Sequence, residues 1–195
     1  MIQELFPTYF LKEKLGVTKS KISLLDKSAR HLPEVDAAGV AWSKKNYVHG
    51  YTSYGSLSQL YSQFSVFDEL RKRIDRSAIK FLKKMGVSGK GKKLVMNTMW
   101  VNVMSEETYH AFHRHPGSVI SGTYYVNAPK GSGPFRIEDP RAPLFMNTPE
   151  RKIQFDIEPK ADTLILFESW LLHEVPPHRG KDPRISISFN YSLVD

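Results

Sequence analysis

Three histidines crowd into the heptad YHAFHRH, as His110, His113 and His115, and imidazole is the side chain most often found on a transition metal. In an extended segment, residues two apart share a face, so His113 and His115 can offer both rings to one ion while His110 falls on the opposite face. The same H-x-H spacing also arises on polar strand ends where both rings simply meet solvent. A second cluster, LILFESWLLHEVPPHRGKDPRISISFNYSL, adds His173, which could close a three-ligand site, and Arg184 at the head of an apolar run. A guanidinium cannot shed its charge, so an arginine leading into Ile185 and Ile187 is costly to bury without an anionic partner. A carboxylate ligand would meet it through two parallel hydrogen bonds. With no cysteine in the chain, disulfides, thiolate metal sites and thiol nucleophiles are excluded. Any metal must rest on His, Asp, Glu or oxygen.

These residues need strands to hold them, and the second half of the chain supplies the pattern. Short segments rich in Val, Thr, Tyr, Phe and Ile, separated by Pro, Gly, Asn and Asp, predict strands over Leu94–Met104, Tyr109–His113, Val119–Asn127, Pro134–Ile137, Ile153–Ile157, Asp162–Phe167, His173–Val175 and Arg184–Leu193. Such a series suggests a sandwich or a barrel. Ahead of it, Leu57, Leu60, Phe64, Phe67, Leu70, Ile74, Ala78, Phe81 and Met85 recur in steps of three or four, which predicts one or two amphipathic helices. Ser65 with Asp68 resembles a capping box, and Gly86 and Gly89 supply a stop. The first fifty residues read as a strand over Ile2–Phe10 followed by a polar, irregular stretch punctuated by Gly16, Pro33, Gly39 and Gly50. The expected class is α+β, mainly β, in a single domain spanning 1–195.

Composition bounds the partners. The chain has 195 residues, 41% hydrophobic and 25% charged, which fits a globular protein and excludes a disordered or fibrous one. No apolar run is long enough to span a membrane and no export signal is evident, so the expected location is cytoplasmic, or the host cytoplasm for a phage-encoded chain. A net charge of +8 favours encounter with acidic partners. The basic run RKRIDRSAIKFLKKMGVSGKGKK reads as a solvated helix face rather than a nucleic-acid contact, since no binding motif accompanies it. Trp100 and Trp170 read as core residues, with shielding of a reactive site as the alternative.

From about Met96 to Leu193 the motifs HRH, SGTYYVN, PKADTLILF and HEVPPHRGKDPRISISF follow one another. In order and spacing this half of the chain resembles the iron(II)- and 2-oxoglutarate-dependent oxygenases, in particular the prolyl-hydroxylase-like branch and its small relatives in bacteria and phages. The resemblance implies a double-stranded β-helix (jelly-roll or cupin-like) core over about 94–195, with supporting helices over about 55–86. It implies Fe(II), 2-oxoglutarate and O2 as the cofactor set, with oxidative decarboxylation to succinate and CO2 coupled to C–H hydroxylation, a prolyl or other side chain of a protein being the expected kind of substrate. By residue it implies His113 and His173 as metal ligands and Arg184 as partner of the distal carboxylate of 2-oxoglutarate. Tyr125 aligns with a tyrosine that hydrogen-bonds the co-substrate, and Asn102, Ser121 and Asn190 are further candidates around the same pocket.

Two departures stand out. His115 occupies the position where that family usually has Asp, so three histidines would replace two histidines and a carboxylate, which should weaken preference for Fe(II) over Zn(II) or Ni(II). The rival is that Glu138 or Asp139 in FRIEDPR supplies the carboxylate. Asp162 stands where the family tends to have Gly, and reads as a turn substitution. A cupin-like metal-binding protein without 2-oxoglutarate chemistry is the alternative function, and a metal-free nucleic-acid-binding protein ranks last. Specificity for the primary substrate is expected from the loops Pro129–Pro134 and Arg141–Arg151 and from the region before Leu57.

Overall fold

The computed structural model describes every residue except 142, 144, 145, 147–149 and 151. In chain order its elements are β1 (Phe10–Lys14), α1 (Lys19–Val35), α2 (Ala37–Asn46), β2 (Gly50–Thr52), α3 (Leu60–Gln63), α4 (Ser65–Lys84), β3 (Lys93–Met104), β4 (His110–His113), β5 (Ile120–Asn127), β6 (Phe135–Glu138), β7 (Gln154–Ile157), β8 (Thr163–Glu168), β9 (His173–Val175) and β10 (Arg184–Val194). The strands form a six-stranded sheet in the order β1-β8-β5-β10-β3-β2 and a four-stranded sheet in the order β4-β9-β6-β7. Every pairing between these strands is antiparallel. From β3 onward the chain deals strands to both sheets, with β3, β5, β8 and β10 in the larger and β4, β6, β7 and β9 in the smaller. The result is a double-stranded β-helix, with the expected strand boundaries met within a residue or so.

Both faces of the larger sheet are covered, and by different partners. Ile185, Ile187, Phe189 and Tyr191 of β10 join Leu164 and Leu166 of β8 under the helices, packed against Phe67, Leu70, Ile74, Ala78 and Phe81 of α4 and Leu25, Ala29 and Leu32 of α1. The stripe along α4 is the one its period predicts, and Gly86, at φ 69°, takes the left-handed turn that ends it. The opposite face meets the smaller sheet through Met104, Tyr125, Ile165 and Phe167 against Phe135, Ile137, Ile157 and Val175. Lys72, Arg76, Lys80, Lys83 and Lys84 lie on the exposed side of α4, as a solvated face requires. No helix among the described residues is long and apolar enough to cross a membrane.

The N-terminal region departs from expectation. Ile2 is not the start of a strand: Ile2, Leu5 and Phe6 are exposed, Pro7 interrupts any ladder, and only Phe10–Lys14 pairs, against β8. The stretch expected to be irregular holds α1 and α2. Pro33 lies inside α1 in its last turn, at the cost of the one i→i−4 hydrogen bond its missing N–H would make, and Gly39 sits in the first turn of α2, where its N–H is accepted by the Asp36 carboxylate at 2.9 Å. Ser65 is the first helical residue of α4 and Phe64 precedes it as the cap, with no side-chain capping bond, so the capping box does not form.

Asp162 does more than turn the chain. At φ 60° it takes the conformation a glycine would, yet its buried carboxylate accepts hydrogen bonds from the N–H groups of Gly16 and Val17, at 3.1 and 3.0 Å, and from the Tyr124 hydroxyl at 3.1 Å. The turn before β8 thereby clasps the segment that leads into α1. A glycine here would turn but could not clasp.

Candidate metal centre

His113 ends β4 and lies directly across from His173 at the start of β9, in neighbouring positions of the smaller sheet. His115 lies just beyond β4, tied by its backbone N–H to the Ser169 carbonyl at 3.0 Å. One ring nitrogen from each of the three lies within 4.8 Å of those of the other two. His115 Nε2 and His173 Nε2 are 3.3 Å apart. Two ligands held at about 2.1 Å and at right angles on one ion would sit about 3.0 Å apart, so this pair is already spaced as neighbouring ligands. His113 and His173 each direct Nδ1 at a backbone carbonyl, Ala111 at 2.7 Å and Leu171 at 2.8 Å. Donation from Nδ1–H fixes the tautomer and leaves Nε2 as the electron-pair donor.

The surroundings keep these rings neutral. Burial, assisted by His113, pushes His115 down to about 4, and burial with the same neighbour pushes His173 down to about 2. Burial also lowers His113. Neutral imidazole is the form that ligates. Phe167 and Phe135 pack on His173, with ring centroids 4.6 and 5.0 Å away, and Trp100 lies 6.1 Å from His115. Among the described residues no carboxylate joins the three imidazoles. Asp139 is instead gripped by Arg141 through Nε at 2.9 Å and Nη2 at 2.8 Å, and Glu138 lies outside the group.

The same cavity, about 480 Å3, reaches Arg184. This guanidinium is 2% exposed, and its bonded neighbours are the Met104 sulfur at 2.8 Å and the Ser186 hydroxyl at 3.4 Å. Its Nε has no hydrogen-bond partner, and neither has the Tyr125 hydroxyl, whose ring centroid is 5.0 Å from the guanidinium carbon. Burial raises Tyr125 and the nearby Arg184 opposes the rise. Arg184 lines the cavity, and Tyr125 stands beside it without lining it; a fixed cation and a hydroxyl, both buried and both short of partners, are a donor set that a carboxylate would satisfy.

The remaining candidates divide in two. Asn102 lines the cavity, accepting from the Thr52 hydroxyl at 2.8 Å and donating to Ser188 at 3.1 Å. Ser121 and Asn190 do not line it. Ser121 donates to Asn190 Oδ1 at 2.7 Å, which leaves the Ser169 hydroxyl, 2.8 Å away, to donate to Ser121, while Asn190 Nδ2 donates to Thr98 at 3.1 Å. This network props up the Ser169 segment that holds His115. Trp100 is buried and lines the cavity, whereas Trp170 is 49% exposed and is not a core residue.

Sequence reasoning missed the wall contributed by the N-terminal half. Trp42, Tyr47, Thr52 and Tyr54 all line the cavity, as does His110. His110 was expected on the far side of its strand, but the register of β4 against β9 shifts between His110 and His113, and the irregularity turns both rings inward. Of the loops expected to set specificity, the region before Leu57 reaches the cavity and Pro129–Pro134 does not. Most of Arg141–Arg151 lies outside the described residues.

Residues 98–190 match a family model described as "Putative 2OG-Fe(II) oxygenase". No curated protein sequence matches the chain. Among solved structures, a prolyl-4-hydroxylase from Pseudomonas putida aligns with a TM-score of 0.64 at 12% identity, over 95% of this chain and 92% of that one. HygX from Streptomyces hygroscopicus, solved with nickel, 2-oxoglutarate and hygromycin B bound, aligns with a TM-score of 0.66 at 11% identity, over 95% and 83%. A viral collagen prolyl hydroxylase from Paramecium Bursaria Chlorella virus-1, solved with 2-oxoglutarate, aligns with a TM-score of 0.59 at 16% identity, over 94% and 96%. These structural likenesses are of fold; the segment matched by the family model contains all three clustered histidines and Arg184.

Proposed function

We propose that this chain, which belongs to the iron(II)- and 2-oxoglutarate-dependent oxygenase superfamily, holds Fe(II) on His113, His115 and His173 and anchors the far carboxylate of 2-oxoglutarate on Arg184. The observation that carries the reading is a buried guanidinium with no acidic partner among the described residues, opening into the cavity that three neutral imidazoles share. Three ligands on one side of an ion leave its other side to the co-substrates. When bound, iron and 2-oxoglutarate supply oxidative decarboxylation of the keto acid to succinate and CO2, coupled to hydroxylation of a C–H bond. The protein's part is placement. Nδ1–H bonds from His113 and His173 aim their free nitrogens, the Ser121, Asn190 and Ser169 network steadies the His115 segment, and Arg184 with Tyr125 sets the direction of the keto acid. A cupin-like protein without the keto acid would have no use for an uncompensated buried cation.

Trp42, Tyr54, Trp100 and Tyr109 give the cavity a largely aromatic wall, with Asn46 and Arg114 beside them, and no carboxylate lines it among the described residues. That wall suits a neutral, apolar group, such as a prolyl or aliphatic side chain presented by a peptide or protein. One named relative in fold is a collagen prolyl hydroxylase and another was solved with hygromycin B bound, so the C–H donor is the part of the reading that needs a direct assay. Titrating 2-oxoglutarate into the anaerobic Fe(II) protein should produce a visible charge-transfer band, and admitting O2 should release succinate. Absence of the band at saturating iron would refute the assignment of Arg184 and the imidazoles. Gain of one oxygen by a prolyl peptide, followed by mass spectrometry, tests the substrate.

A further inference from the structure

One end of the cavity carries two neutral rings that neither the metal centre nor the guanidinium accounts for. Tyr47 caps the C-terminus of α2, and its ring fills the space above Gly50, where an added Cβ would lie 2.8 Å from Tyr47 Cε1. Its hydroxyl is 2.7 Å from His110 Nε2, and the ring centroids are 4.7 Å apart. The strand irregularity that turns His110 inward thus delivers it to a partner from the N-terminal half. Both rings line the cavity, and both are close enough to Arg184 to feel its charge, which opposes the upward effect of burial on Tyr47 and reinforces the downward effect on His110. Burial dominates in each case. The hydroxyl stays protonated and the imidazole stays neutral, so neither becomes a counter-ion for Arg184.

A tyrosine hydroxyl has one proton to give and a neutral imidazole has one free acceptor nitrogen. The short contact ties the hydroxyl to Nε2 whichever of the two donates, which holds the two rings together as one wall. Arg184 and Tyr125, by contrast, have unpaired donors. A carboxylate entering here gains from the guanidinium and meets the two rings beyond it as bulk.

We propose that the Tyr47–His110 pair is the end wall of the co-substrate pocket and fixes the length of the 2-oxo diacid that the chain accepts. The inference rests on the assignment of Arg184 as the carboxylate anchor. With the keto group held at the imidazoles, a diacid longer by one methylene would drive its far carboxylate into the paired rings. One methylene in a fitted pocket is discriminated by about 10-fold to 200-fold. Tyr47 lies outside the segment 98–190 and His110 inside it, so this selectivity draws on both halves of the chain.

The test is isothermal calorimetry on the full chain loaded with Zn(II), which binds but does not turn over, using 2-oxoglutarate and 2-oxoadipate as probes. The unsubstituted protein should prefer 2-oxoglutarate by about tenfold or more, and Tyr47→Ala should bring the two Kd values within about threefold of each other. Tyr47→Phe, which keeps the ring, should retain most of the preference. If Tyr47→Ala does not fold, judged by circular dichroism, His110→Ala opens the same wall from β4 and should narrow the preference in the same way. A folded wall variant that keeps the original preference overturns the proposal while leaving the anchor intact. Failure of the unsubstituted protein to bind either diacid overturns the anchor itself, and the wall with it.

Discussion

Along β10 the residues turned toward the helices are Ile185, Ile187, Phe189 and Tyr191, whereas those turned toward the smaller sheet include Arg184, Ser186 and Ser188, which line the cavity. β8 divides in the same way, with Leu164 and Leu166 under the helices and Ile165 and Phe167 facing inward. The helical side is a continuous apolar layer. On the cavity side two buried polar atoms, Tyr125 Oη and Arg184 Nε, have no partner. Because side chains alternate along a strand, one segment can supply stability on one side and recognition on the other. The expectation is that substitutions on the two sides fail differently: inner ones lose binding and keep the fold, outer ones lose fold and keep binding.

The largest separation should come from His173→Ala. Losing even an outer partner of a metal ligand typically costs 10-fold to 100-fold in affinity, so losing a ligand should weaken Fe(II) binding by more than about 100-fold. Equilibrium dialysis would measure it, and unchanged affinity would break the contrast at its centre. Next is Arg184→Met, for which 2-oxoglutarate affinity should fall by about 100-fold while the melting temperature holds or rises, since an unpaired buried cation has been replaced by an apolar chain. A large fall in melting temperature would mean that Arg184 supports the fold. From the other side, Ile187→Ala should cost about 2–4 kcal/mol in urea unfolding, with metal and 2-oxoglutarate affinities changed by less than about twofold.

The smallest effect is set by pH and sharpens the inner side alone. His110, His115 and His173 are held at about 3, about 4 and about 2, below the usual value near 6.5. In the metal-free fold they stay neutral as pH falls, while the unfolded chain takes up protons. Stability is therefore full above about 6.5 and lost progressively on acidification toward the lowered values. Melting curves of the metal-free protein should move down by several degrees between pH 7 and 5.5, and His110→Ala should reduce that movement.

Much of the inner side was legible because its residues break a pattern. An arginine at the head of an apolar run and a histidine after LILF are out of place in a core, and both turn out to face the cavity. His115 was legible by its spacing from His113. His110 was not, because parity along a strand presumes a regular ladder, and nothing in YHAFHRH announces the shift against β9. Tyr47 and Trp42 were hidden for a different reason. Trp42 belongs to α2 and Tyr47 caps it, but the apolar residues of α2 follow no clean stripe, and Gly39 reads as a breaker although it packs so close to Asp36 that an added Cβ would lie 2.0 Å from its carboxylate oxygen. Asp162 looked like a mere turn because its partners, Gly16, Val17 and Tyr124, are distant in sequence.

β10, the last element of the chain, lies between β3 and β5. Until a ribosome has delivered it, the larger sheet can exist only as two separate ribbons, β2 with β3 and β5 with β8 and β1, each with an open edge that invites pairing with a neighbour. Completion of the ladder and arrival of the guanidinium are one event, because Arg184 opens the strand that joins the ribbons. A nascent or truncated polypeptide without β10 therefore lacks the guanidinium that opens into the cavity, and burial of that cation coincides with the zipping of the whole sheet.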